Sequence, residues 1–294
     1  MSKSLFNSSF NEFITGKLTS QKKLSHRFVD ETIGTFILIF ATLFLCWLYG
    51  THSRNWFSTT SNFLYWIEFS LSFSAIYLLL FLLIFFFGHA GALFNPALVL
   101  MSRTTKSINN NEAFTYIMAE LIGAIFAGLV IYIIAGSCTP ANFGNQWTDP
   151  NLLGVTTFNE NIWVDKININ GADSAGIATL FLGFVIELVF FGLFVFLILF
   201  LGWRVKKTKV ASLKIRCQLI NSFIISFGLF VIVSVQIPLT GASCNAFRSL
   251  APLIFESWST HSIIGWIQFP WYLMSTIVGA QLAAIIFNRS LNKR

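Results

Sequence analysis

The 294-residue chain is 55% apolar and 11% charged, less than half of the roughly 25% charge of a soluble domain. It contains 34 phenylalanines, more large apolar side chains than a water-soluble core could bury, so the composition excludes a soluble globular protein and predicts one that lies in a bilayer. The net charge of +7 alone would suit a nucleic-acid binder, but the placement of the basic residues excludes that class.

Six stretches are long and apolar enough to cross about 30 Å of hydrocarbon as helices. The segment before them, residues 1–27, lacks the continuous apolar core of a signal peptide and is predicted to be a retained polar tail. In chain order, the predicted spans are 31–49, 63–87, 113–134, 176–203, 218–238 and 266–287.

Most of the 19 Lys and Arg residues fall on one side of these spans. They lie in the N-terminal tail, after the second span, in the Lys- and Arg-rich connection 203–216, and in the C-terminal tail 289–294. Because basic loops stay on the cytoplasmic side, both termini are predicted to be cytoplasmic.

The chain repeats itself. GALFNPA at 91–97 matches GASCNAF at 241–247, and Glu31 in the first span corresponds to Glu187 in the fourth. Each half holds three spans, an odd number, so the halves must point in opposite directions across the membrane. The predicted architecture is an all-α membrane protein with an inverted repeat, its first copy at about 28–136 and its second at about 175–288, and its functional site near the midplane.

Each half also has a polar interruption after its second span. In the first, Gly residues permit tight turns, Asn95 is a favoured N-cap, and Pro96 and Ala97 fit the first helical positions. In the second, Asn245 and Ala246 occupy the same places. We therefore predict two short half-helices that enter from opposite faces and bring their positive N-termini together at the bilayer centre.

Three charged residues fall near these interruptions. Glu31 and Glu187 are predicted to accept hydrogen bonds from backbone N–H groups of the two loops, with a snorkelling or pore-lining carboxylate as the alternative. Arg248 lies three residues after Asn245, which favours a position inside the cavity, where it would repel cations, over a lipid-headgroup contact.

These motifs resemble the aquaporin (major intrinsic protein) family over about residues 28–288. GHAGALFNPALVL resembles the first Asn-Pro-Ala loop of the family, and LTGASCNAFRSLAP resembles the second with its following Arg. The resemblance implies six transmembrane helices plus two re-entrant half-helices in one channel domain, with four pores in a homotetramer.

The resemblance also assigns residue roles. Asn95 and Asn245 would form the central constriction, and Arg248 would belong to an outer selectivity filter. The further filter positions would be Val233, Ala242, and either Ala75 or Ile76 in the second span.

The sequence departs from the family pattern at several places, of which Phe247, Val233 and Ser249 bear on the pore. Phe247 stands where the family usually has Ala, and it would shift Asn245, narrow the pore, or fill space left by another change. Val233 stands where water-selective members commonly carry His, which favours a wider and less polar filter. Ser249 stands where glycerol-conducting members commonly have Asp, which opposes the indication from Val233 and leaves the solute selectivity open.

The leading hypothesis is a passive channel for water, with small uncharged solutes such as glycerol or urea as further candidates, that excludes ions and protons. The alternative is a poorly conducting or gated protein of the same fold with a structural or organellar role, motivated by Phe247. The four His residues are scattered, so no enzyme, cofactor or metal site is expected. His89 is a candidate pH-sensitive gate beside the more ordinary interpretation of a hydrogen-bonded loop residue.

Overall fold

The computed structural model shows a bundle of long helices wrapped around two short ones. His89, the N-terminal tail up to residue 22 and most of the connection between the two halves lie outside the residues that the structure describes. The described residues are 23–56, 62–88, 91–138, 165–169, 172–207, 211–260 and 264–292.

Eight helices are present in these segments, which confirms the predicted all-α class. Five of the long helices contain stretches apolar enough to cross a membrane, and α2 contributes the shorter apolar stretch Ser74–Phe87. The helices are α1 (Leu24–Trp56), α2 (Asn62–Phe87), α3 (Pro96–Thr104), α4 (Asn110–Cys138), α5 (Ile177–Lys207), α6 (Ala211–Thr240), α7 (Ala246–Thr260) and α8 (Ile264–Asn292).

The predicted half-helices are α3 and α7, each of which follows a loop after the second long helix of its half. The nine residues of α3 match the expected two turns, whereas α7 runs for 15 residues. Pro252 lies inside α7, where its ring has no N–H to donate to the carbonyl of Arg248 four residues earlier.

The packing of the helices repeats between the two halves. In the first half α1 packs against α2 and α4, and in the second half α5 packs against α6 and α8 in the same way. Each half-helix also contacts the last long helix of both halves, α4 and α8. The contacts therefore follow a pseudo-twofold arrangement, as an inverted repeat requires.

Two glycines permit the closest helix crossings. A Cβ at Gly123 of α4 would lie 2.5 Å from the carbonyl oxygen of Thr32 on α1, and one at Gly279 of α8 would lie 2.6 Å from that of Leu188 on α5. These positions correspond between the halves. In a membrane, where lipid is as apolar as a side chain, such close backbone contact is a main source of helix association.

A short antiparallel hairpin is the one element among the described residues that the sequence did not predict. It pairs β1 (Lys166–Ile169) with β2 (Ala172–Ala175) just before α5. Asp165, next to the hairpin, accepts hydrogen bonds from the backbone N–H and the hydroxyl of Thr179, each at 2.8 Å. These bonds lower the pKa of the Asp165 carboxyl, and the charge complements the N-terminus of α5.

Gly279→Ala is expected to lower the free energy of unfolding by about 1–3 kcal/mol, because the added methyl group would press on the Leu188 backbone. The matched control is Gly192→Ala at the same α5–α8 crossing, where the nearest atom would be 3.3 Å away. Thermal unfolding in detergent measures both. Equal stability of the two variants would contradict the close crossing.

Candidate functional site

The loops before the two half-helices share one unusual backbone conformation. Positive φ angles occur at Gly91 (137°), Ala92 (47°) and Phe94 (47°), and again at the corresponding Gly241 (73°), Ala242 (52°) and Cys244 (47°). Non-glycine residues rarely adopt such angles, and they persist only where the surroundings hold them.

The two Asn side chains cap the half-helices. Asn95 Oδ1 accepts from the backbone N–H of Ala97 at 3.1 Å. Asn245 Oδ1 accepts from the N–H groups of Phe247 at 3.0 Å and Arg248 at 3.4 Å. In both cases the amide oxygen faces its own helix, which fixes the direction of the NH2 group.

The NH2 groups then cross between the halves. Asn95 Nδ2 donates to the carbonyl of Cys244 at 2.7 Å, and Asn245 Nδ2 donates to the carbonyl of Phe94 at 2.6 Å. Each amide nitrogen carries two hydrogens, so one hydrogen of each is committed to the opposite loop and the other remains for a second acceptor.

Buried carboxylates hold the first loop. Glu31 Oε1 on α1 accepts from the N–H of Phe94 at 2.5 Å, and Glu120 Oε1 on α4 accepts from the N–H of Asn95 at 2.7 Å. Both acids are fully buried. They supply acceptors to amides that the helices leave unpaired.

One carboxylate holds the second loop. Glu187 on α5 accepts from the N–H of Ser243 at 3.0 Å and from that of Cys244 at 3.3 Å, and from the hydroxyl of Thr240 at 2.5 Å. The positive charge of Arg248 also acts on it.

A cavity of about 130 Å³ runs past both half-helix N-termini, and it is large enough to hold water. Its wall is mostly apolar, and its polar groups gather around the two Asn residues and Arg248. The lining side chains come from α1, α2, α5, α6 and both loops, and include Ile76, Tyr77, Ile84, Phe194, Ile198, Ile225, Leu229 and Val233.

Six of the predicted site residues meet at this cavity. Asn95, Asn245, Arg248, Val233 and Ala242 all line it. The small residues Pro96, Ala97 and Ala246 are buried at the starts of the half-helices. Of the two candidates in the second span, Ile76 is buried and lines the cavity, whereas Ala75 is exposed and does not.

Phe247 does not lie on the cavity wall. Its ring packs against the outer cluster that α1, α4 and α7 form, whose buried members include Ile39, Leu43, Ala127 and Phe255. This placement corrects the assignment of Phe247 to the pore constriction. The reason is the 3.6-residue helical period, which turns the side chain two positions after Asn245 away from the cavity.

Sequence reasoning missed two residues. It did not assign a role to Glu120, although a carboxylate inside a predicted span is a signal of function. The reason is that Glu120 is not repeated in the second half, where the corresponding residue is Thr276. Tyr77 also lines the cavity, and nothing in the local sequence separates it from the other aromatic residues of α2.

Comparison with known families decides the family. The family model described as Major intrinsic protein matches residues 18–287. The chain belongs to the major intrinsic protein family.

Relatives within this family are distant. The chain is 28% identical to Aquaporin-4 of Notomys alexis over 205 residues, covering 68% of this chain and 49% of that protein. It is 26% identical to Aquaporin Z of Photorhabdus laumondii over 207 residues, covering 70% and 77%. The chain spans about half the length of the Aquaporin-4 relatives it matches.

The fold has a solved counterpart. The aquaglyceroporin from Plasmodium falciparum superposes with a TM-score of 0.66 at 18% identity, covering 92% of this chain and 97% of that one. At this identity the likeness shows the fold alone, and it supports the arrangement of six long helices and two half-helices.

Phe247→Ala is expected to lower the free energy of unfolding by about 2 kcal/mol, because it removes a partly buried ring from the outer cluster. The cavity wall should be unaffected, so the transport rate per folded molecule should stay unchanged. Thermal unfolding and vesicle assays on the same preparation measure the two quantities. A large change in transport without a loss of stability would contradict the observed packing.

Proposed function

We propose that the chain is a passive transmembrane channel for water and for small uncharged solutes such as glycerol or urea. The single observation that carries this proposal is the pair of crossed Asn amides at the cavity, between the N-termini of two half-helices. Asn95 and Asn245 would form the central constriction, each offering its second hydrogen to an oxygen in the pathway.

The electrostatics favour neutral molecules. The N-terminus of each half-helix carries roughly half a positive charge, and Arg248 adds a full charge on the same cavity. Cations and hydronium would be repelled, while a neutral oxygen-bearing molecule finds donors. The rest of the cavity wall is mostly apolar and has few polar groups that could replace the water molecules around an ion.

The outer part of the cavity suggests a filter that tolerates carbon-bearing solutes. We assign Arg248, Val233, Ala242 and Ile76 to this filter, with Tyr77 beside them. Aliphatic side chains around one guanidinium can contact C–H groups, whereas a strict water filter needs polar groups on several sides. This composition supports passage of polyols or urea together with water.

The alternative of a poorly conducting protein loses its motivation. It rested on Phe247 narrowing the pathway, and that ring packs between α1, α4 and α7 instead. Gating by His89 stays a sequence-based prediction, because His89 lies outside the described residues.

The remaining assignments complete the proposal. Residues 28–288 form the channel domain, with the tails 1–27 and 289–294 both cytoplasmic as the basic residues indicate. Glu31 and Glu187 support the two pore loops. The channel is a homotetramer, by analogy with its family.

The proposal is tested by stopped-flow light scattering on vesicles that contain the purified protein. A sucrose gradient measures water flow, and a glycerol gradient measures solute entry. We expect faster shrinkage than in protein-free vesicles, followed by re-swelling in glycerol. Folded protein that accelerates neither process would contradict the channel function.

Val233→Phe is expected to reduce glycerol entry at least about tenfold and water flow less, because a ring at this position narrows the cavity. The matched control is Val231→Phe, two residues earlier on α6, where the side chain is exposed on the outside of the bundle. Similar transport in the two variants would remove Val233 from the filter.

A further inference from the structure

We propose that Glu31 and Glu120 form a proton-binding site, in which one proton shared between the two carboxyl groups positions the loop that carries Asn95. This inference stands on the packing of α1 and α4 and does not depend on what the cavity conducts.

The first argument is the set of atoms left unpaired. Oε1 of each acid accepts a backbone amide of the loop, Phe94 for Glu31 and Asn95 for Glu120. Oε2 of each acid is buried and has no hydrogen-bond partner among the described residues. Burying two carboxyl oxygens without hydrogen-bond partners costs free energy, and most buried polar atoms in folded proteins do have a partner.

The second argument is their mutual contact. The Oε1 atoms of Glu31 and Glu120 bind the amides of two successive residues, Phe94 at 2.5 Å and Asn95 at 2.7 Å, which brings the two carboxyl groups side by side. An ionised carboxylate is an acceptor only, so two carboxylates cannot hydrogen-bond unless one of them carries a proton. The orphaned Oε2 atoms are the ones available for that bond.

The third argument is charge. A third acid, Asp30, lies one residue before Glu31 and adds a further negative charge on α1. Among the described residues no salt bridge joins a Lys or Arg to either acid, and Arg27, one turn before Glu31, pairs with Glu112 at 2.9 Å. Two like charges buried side by side cannot both stay ionised, so a single proton is the least costly remedy.

The loop decides which acid holds the proton. Glu31 accepts the shorter bond, at 2.5 Å from the Phe94 amide, whereas Glu120 accepts the Asn95 amide at 2.7 Å, and the shorter bond is typical of an ionised acceptor. Hydrogen bonds from amides favour the ionised form. Glu31 therefore keeps the negative charge, and Glu120 carries the proton on Oε2 and donates it to Glu31.

The second half of the protein works without a proton. Both oxygens of Glu187 already accept bonds, from two amides and the Thr240 hydroxyl. The position that corresponds to Glu120 is Thr276, whose hydroxyl donates to its own helix at Tyr272 and Leu273. Glu187, the counterpart of Glu31, therefore serves as the comparison: a buried carboxylate that binds its loop without a second acid beside it.

Substitution by glutamine distinguishes a protonated glutamate from an ionised one, because glutamine has the shape and a hydrogen-bond donor of the protonated form. Glu120→Gln retains an acceptor for the Asn95 amide and a donor for Glu31, so the variant should fold and keep its melting temperature. Glu187→Gln places an NH2 group against donors, and its ratio of folded to unfolded protein should fall about tenfold or more.

The experiment is infrared spectroscopy of the full-length protein in lipid, with thermal unfolding measured from neutral to alkaline pH. We expect a carbonyl band from a protonated carboxyl group in the wild type, sensitive to deuterium exchange, that is absent from Glu120→Gln and present in Glu187→Gln. The melting temperature of the wild type should fall as pH rises, because the shared proton is lost. The melting temperature of Glu120→Gln should fall less over the same pH range.

Two results would overturn the proposal. One is a wild-type spectrum in which the band does not differ from that of Glu120→Gln. The other is a Glu120→Gln variant that fails to fold or melts as early as Glu187→Gln. Neither readout requires transport, so a protein that conducts nothing can still pass this test.

Discussion

The structure depends on the satisfaction of backbone amides at two places where helices are interrupted inside an apolar bundle. Irregular backbone cannot remain unpaired in hydrocarbon, where each open N–H group costs several kcal/mol. Glu31, Glu120 and Glu187 provide the acceptors from neighbouring long helices. Once the loops are held, Asn95 and Asn245 can turn their amides toward each other.

Close packing makes this arrangement possible. The acids reach the loops because α1 crosses α4, and α5 crosses α8, at backbone contact distance over Gly123 and Gly279. A larger residue at either crossing would move the carboxylate away from its amide. In each half the glycine of one helix and the acid of the facing helix, Gly123 with Glu31 and Gly279 with Glu187, therefore act as one unit although they lie far apart in sequence.

The two halves share this plan but carry it out differently. The first loop is held by two acids from two helices, and the second by one acid together with Thr240. The half-helices also differ, because α7 is longer than α3 and buries Phe247 against α1 and α4. The inverted repeat gives the two loops the same backbone path. The corresponding backbone N–H groups of the two loops then donate to different side-chain acceptors in each half.

The sequence by itself determined the membrane class, the long helices, the half-helices and their Asn caps. These depend on composition, on hydropathy over about 20 residues and on local N-cap chemistry, all of which are properties of neighbouring residues. The tertiary structure alone decided that Ile76 rather than Ala75 lines the cavity, that Phe247 points away from it, and that Glu120 meets Glu31. Each of these depends on how one helix is rotated against another. That rotation is set by contacts between residues many positions apart, and a local sequence pattern gives no information about such contacts.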